Sequence, residues 1–76
     1  MFDELDTVVL IHDIAKYKLK NGDLGTVVHS YRGGRALEVE FVAASGKTIA
    51  VLTLNPEDIR PMASHEILHA RGFISA

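Results

Sequence analysis

The sequence predicts an all-β domain, a small five-stranded antiparallel barrel followed by a short C-terminal helical tail. Three observations lead there. Short β-branched runs recur along the chain, each bounded by Gly, Asn, Asp or Pro. Leu37, Val39 and Phe41 alternate strictly with Glu38 and Glu40, the period of two that belongs to a half-buried strand. Gly22-Asp23 and Arg32-Gly33-Gly34-Arg35 supply the backbone freedom that tight reversals need.

Taken in order, residues 6–11 (Asp-Thr-Val-Val-Leu-Ile) read as the first strand, because β-branched side chains suit the pleat. Residues 12–17 form a connecting loop with room for one helical turn. Gly22-Asp23 opens the second strand, residues 24–31. Gly25 inside it marks either a bulge or a close backbone approach. The paired glycines make the hairpin turn into the third strand, residues 36–42. Ala43-Ala44-Ser45-Gly46 turns the chain into a fourth strand, residues 47–54, which carries Ile49, Ala50, Val51, Leu52 and Leu54 and so is apolar on both faces. Asn55-Pro56-Glu57-Asp58 predicts a single 3₁₀ turn with Pro56 at its start. Ile59-Arg60 is a brief fifth strand stopped by Pro61. Residues 64–71 read as a short helix capped by Ser64 and ended by Gly72. The expected organisation is a barrel over residues 1–62 and a tail over 63–76 that packs on the barrel or on a partner.

Seventy-six residues make one domain at most. A chain this short buries only about 60% of its unfolded surface. It has no cysteine, so neither a disulfide nor a thiolate cluster can staple it. No apolar run approaches the roughly 20 residues of a membrane span. The start Met1-Phe2-Asp3-Glu4 lacks the basic opening of a signal peptide, and a cytoplasmic location is expected. The net charge of −2 hides a segregated layout. Asp3, Glu4, Asp6 and Asp13 make the first stretch acidic, and Lys16, Lys18, Lys20, Arg32 and Arg35 make the next one basic.

Four motifs together resemble a known family. They are residues 19–28 (Leu-Lys-Asn-Gly-Asp-Leu-Gly-Thr-Val-Val), 37–42 (Leu-Glu-Val-Glu-Phe-Val), 46–54 (Gly-Lys-Thr-Ile-Ala-Val-Leu-Thr-Leu) and Asp58-Ile59-Arg60-Pro61. The set is similar to a family of small bacterial proteins classed as a domain of unknown function, over roughly Leu5 to Met62. The resemblance implies an SH3-like barrel and brings no catalytic residues. Gly22-Asp23-Leu24-Gly25-Thr26-Val27 alone also resembles the turn of KOW domains and the barrel of the nitrile hydratase β-subunit.

His65-Glu66-Ile67-Leu68-His69 fits the H-E-x-x-H spacing, in which two histidines one helical turn apart grip zinc and the glutamate activates water. The zincins that use this spacing have a third ligand downstream. Here no His, Glu, Asp or Cys follows His69, so a solvated helix face or a subunit contact is the simpler expectation and His65 and His69 are weak metal candidates. Lys16, Lys18 and Lys20 around Tyr17, with Tyr31, Arg32 and Arg35, offer a basic surface for phosphates and bases. Salt bridging of the arginines to Glu38, Glu40 or Asp58 is the plainer account. His12 and His29 read as ordinary hydrogen-bonded residues, Asp23 as a turn residue, and Asp58 and Arg60 as residues that close the barrel. The apolar excess, Leu52 and Leu54 with Ile67, Leu68 and Phe73, needs cover from the tail, a second copy or another protein.

The sequence therefore predicts a non-enzymatic protein-interaction or regulatory module, the accessory or neutralising partner of a larger protein, with no cofactor and no small-molecule substrate. A protein partner or a homodimer supplies the contact. A KOW-like nucleic-acid or ribosome-associated module is the alternative, and a metal-dependent hydrolase comes third.

Overall fold

Sequence neighbours pair, the first two strands across a longer loop and the next two pairs across short turns, and a single 3₁₀ turn sends the last strand back to the first. The computed structural model describes residues 2–62. Its strands are β1 (Thr7–Leu10), β2 (Leu24–Tyr31), β3 (Ala36–Val42), β4 (Thr48–Leu54) and β5 (Ile59–Pro61). They form one antiparallel sheet in the order β4-β3-β2-β1-β5. This is the all-β, five-stranded antiparallel fold that the sequence predicts, and the pairing of β5 with β1 fixes its strand order. The 3₁₀ turn is Pro56–Asp58, with Pro56 at its first position as expected.

One interior serves all five strands. Val8 and Leu10, Val27, Leu37, Val39 and Phe41, Leu54 and Ile59 make a single buried cluster, joined by Leu19 from the β1–β2 loop. A flat sheet could not bring its two edges to the same core, so the sheet curls round it. Full burial of side chains such as Phe41, Leu10 and Leu37 contributes about 1.5–3 kcal/mol each.

Three sequence expectations change in detail. β1 is shorter at both ends than the β-branched run suggests, and β4 begins at Thr48. Pro61 lies within β5, level with Val8, because β5 is an edge strand where a missing N–H costs no ladder bond. Leu54 is buried and Leu52 packs against the core, so neither belongs to a second apolar face. Strict alternation along β4 turns Ala50, Leu52 and Leu54 inward and leaves Ile49 and Val51 outside. The predicted helix over 64–71, with Ile67, Leu68 and Phe73, lies outside the described residues.

Gly25 is a close-approach glycine. It stands level with Phe41, and a Cβ there would sit 2.6 Å from Val39 Cγ1 and 2.9 Å from Phe41 Cε1. The bulge in β2 falls three residues later, where the register shifts between Val27 and His29. Gly25→Ala should therefore destabilise the fold by about 1–3 kcal/mol through overpacking. Urea unfolding monitored by circular dichroism measures this, and an unchanged midpoint would contradict the close contact.

Candidate interaction surface

The β1–β2 loop is held from inside. Leu19 is 2% exposed and belongs to the core, and Ile14 and Leu19 exchange backbone hydrogen bonds of 2.9 and 3.1 Å. Asp23 Oδ2 accepts the Lys20 amide at 2.9 Å, and Asp13 Oδ1 accepts the Asn21 amide at 2.9 Å. Between these ties the 3₁₀ turn Ala15–Tyr17 leaves Lys16, Tyr17, Lys18 and Lys20 exposed. Lys16 Nζ lies 5.6 Å from the centre of the Tyr17 ring, a cation–π contact.

His12, at the start of this loop, is bound to the turn before β5. Its Nε2 is 2.7 Å from Asp58 Oδ1 and its Nδ1 is 3.0 Å from the Asp13 carbonyl oxygen. Both partners accept hydrogen bonds, so both contacts are satisfied only by the imidazolium, which donates from both nitrogens. The Asp13 carbonyl first, and then the Asp58 carboxylate, raise the His12 pKa above its ordinary 6.5. Partial burial of Asp58 works against its charge. The His12 contact and the Asn55 amide, 2.8 Å from Oδ2, outweigh this and hold its pKa below the usual 3.8. The Ile11 amide also donates to the Asp58 carbonyl at 3.1 Å. Sequence reading treats His12 and Asp58 separately, because only the return of β5 to β1 brings residues 46 positions apart together.

Arg32 and Arg35 are exposed in the turn between β2 and β3, where Gly33 takes φ 66° as the paired glycines predict. The lysine loop and the arginine turn leave β2 from opposite ends. Eight residues at about 3.3 Å each set those ends roughly 25 Å apart along the strand. The carboxylates expected to pair with the arginines have other partners. Glu38 Oε1 accepts the Tyr31 hydroxyl at 3.1 Å, Glu40 Oε2 accepts Thr48 Oγ1 at 2.9 Å, and Asp58 is taken by His12. The Glu38 hydrogen bond raises the Tyr31 pKa, since a phenol that donates to a carboxylate keeps its proton more tightly.

Beyond that turn the outer face of β2, β3 and β4 forms one surface. Thr26, Glu40 and Val51 stand level across the three strands, as do His29, Glu38 and Thr53. His29 packs edge-on to Tyr31 with ring centres 4.4 Å apart, and its Nδ1 is 3.3 Å from Glu4 Oε2. Ile49 and Val51 are 48% and 47% exposed beside the two glutamates. No lysine or arginine occurs within β2, β3 or β4, and neither Glu38 nor Glu40 has an ion-pair partner among the described residues.

The two sheet edges differ. β5 has three residues and is blunted by Arg60 and Pro61. β4 has seven, Thr48–Leu54, with no charge, glycine or proline, and pairs with β3 alone among the described strands. Sequence reading identifies β4 as the apolar strand but names its inward leucines; Ile49 and Val51 are the accessible pair. Of the metal candidates, His65 and His69 lie outside the described residues. Among the described residues no group of three or more His, Cys, Asp or Glu is placed to hold a metal ion, and no helix is long and apolar enough to cross a membrane.

The chain belongs to the family described as domain of unknown function DUF4926, whose model matches residues 4–61 and so takes in all five strands. Neither a curated protein nor a solved structure matches the chain.

The His12–Asp58 contact makes stability pH-dependent with a defined sign. A raised histidine pKa stabilises fully below 6.5 and loses its effect as pH rises through the folded-state value. A lowered aspartate pKa stabilises above 3.8 and loses its effect as pH falls through its folded-state value. Wild type should therefore exceed His12→Ala in stability most clearly between about pH 4 and 6.5, with the gap narrowing on either side. Urea titrations across that range test it, and a gap constant up to pH 9 would contradict it.

Proposed function

We propose that this chain is a non-enzymatic protein-interaction module that binds by strand addition at β4. The observation that carries the reading is the edge itself: seven uncharged residues, unpaired on one side among the described strands, with Ile49 and Val51 half exposed. An edge of this kind offers a row of backbone donors and acceptors to an extended segment, and the flanking side chains select which segment fits. Natural sheets usually protect such an edge with lysine, proline or a short length, as β5 does here. An accessory or neutralising role suits the same physics, because a barrel that captures an extended segment of a larger protein withholds that segment from its own task.

The nucleic-acid alternative draws on the exposed Lys16, Tyr17, Lys18 and Lys20. It is the weaker reading, since Arg32 and Arg35 leave β2 from the other end and the basic groups do not share one loop.

Val51→Lys should weaken association with a partner or a second copy at least ten-fold by placing a charge on the edge. Because Val51 is 47% exposed, unfolding stability should change by no more than about 0.5 kcal/mol. Sedimentation velocity of the purified chain and affinity capture from host extract, wild type against variant, make the test. Retention of the same partners by Val51→Lys would refute strand addition. Salt-sensitive RNA binding abolished by Lys16→Glu and Lys18→Glu would replace this reading with the nucleic-acid one.

A further inference from the structure

We infer that the segment added to β4 is cationic, with a lysine or arginine facing outward level with Val51. The inference rests on the strand-addition reading and names the chemistry of the partner. Glu40 is level with Val51 across β3 and β4, and Glu38 is level with Thr53. A strand laid outside β4 runs about 4.8 Å from it and about 10 Å from β3. An outward side chain on that strand, level with Val51, crosses Val51 before it reaches Glu40. Lysine and arginine suit this path: the aliphatic stem lies on the valine and the charged head meets the carboxylate.

The carboxylates are prepared for such a head group. Thr48 Oγ1 occupies Oε2 of Glu40, and the Tyr31 hydroxyl occupies Oε1 of Glu38, which fixes each side chain and leaves its other oxygen for a second donor. Both donors are neutral hydroxyls, so neither contact cancels the carboxylate charge. No lysine or arginine of the described residues forms an ion pair with Glu38 or Glu40.

A second copy lacks the required cation, because antiparallel self-pairing of β4 about Val51 would set a valine level with Val51. An anionic segment would carry like charge towards Glu40.

Two capped seven-residue peptides test this on the full chain, one alternating valine with arginine and the other valine with glutamate. Each is titrated into isotope-labelled protein at low salt and followed by amide shifts. The arginine peptide should shift the amides of residues 48–54 and bind about ten-fold tighter than the glutamate peptide, a gap that narrows as salt rises. Glu40→Lys should erase or reverse the preference. Equal binding of both peptides at β4 would overturn the cationic rule and leave strand addition standing. Shifts confined to the acidic residues 3–6 would overturn the inference, and so would a wild-type dimer held through β4. No β4 shift with either peptide, from a monomeric protein, would overturn both the inference and the reading beneath it.

Discussion

The contact of the Gly25 backbone with Val39 and Phe41 governs the rest of the structure. A small barrel must bend its longest strands until both edges of the sheet reach one interior, and the bend brings backbones against facing side chains. At Gly25 the space left is smaller than a methyl group requires. Because β2 closes down on β3 there, Phe41 becomes fully buried, and Val27, Leu37 and Val39 line up beside it. Once that wall exists, Val8 and Leu10 on one side and Leu54 on the other face the same core.

The curl also decides which side chains are left outside. On β4 it takes Ala50, Leu52 and Leu54 inward and leaves Ile49 and Val51 beside Glu38 and Glu40. On β5 it places Asp58 against His12, so the turn that ends the meander is tied to the loop that begins it. The two loops that carry most of the positive charge project from the ends of β2, while the acidic and apolar face lies along the strands between them. The charge segregation visible along the chain becomes a segregation between strand face and loops. Salt bridging between neighbouring strands does not account for it, since Tyr31 and Thr48, not the arginines, engage the β3 glutamates.

The unequal edges connect this geometry to the proposed function. β5 is short and carries Arg60 and Pro61, and β4 is long and uncharged. Among the described strands β4 pairs on one side alone, and neutral β-branched strands of that length pair readily with others. That edge, beside two carboxylates with no ion-pair partner among the described residues, is what the proposed strand addition rests on.

Much of the fold was legible in the residues themselves. The alternation of Leu37, Val39 and Phe41 with Glu38 and Glu40 determined β3 and its inward face. Pro56 placed the 3₁₀ turn, and Gly33 and Gly34 placed the hairpin, because these residues act on their own backbone angles. Gly25 could be read only as one of two things, a bulge or a close approach, since both need a missing side chain and only the facing strand tells them apart. The same limit applies to β4: a strand apolar at nearly every position does not reveal which parity points inward, and the register with β3 settled it. The partnership of His12 with Asp58 and the arrangement of Glu38 and Glu40 beside Ile49 and Val51 were likewise decided by the tertiary structure. Local angles and periodicity belong to the chain and travel with its sequence. Contacts between distant segments depend on how tightly the sheet curls, which no single stretch of residues sets by itself.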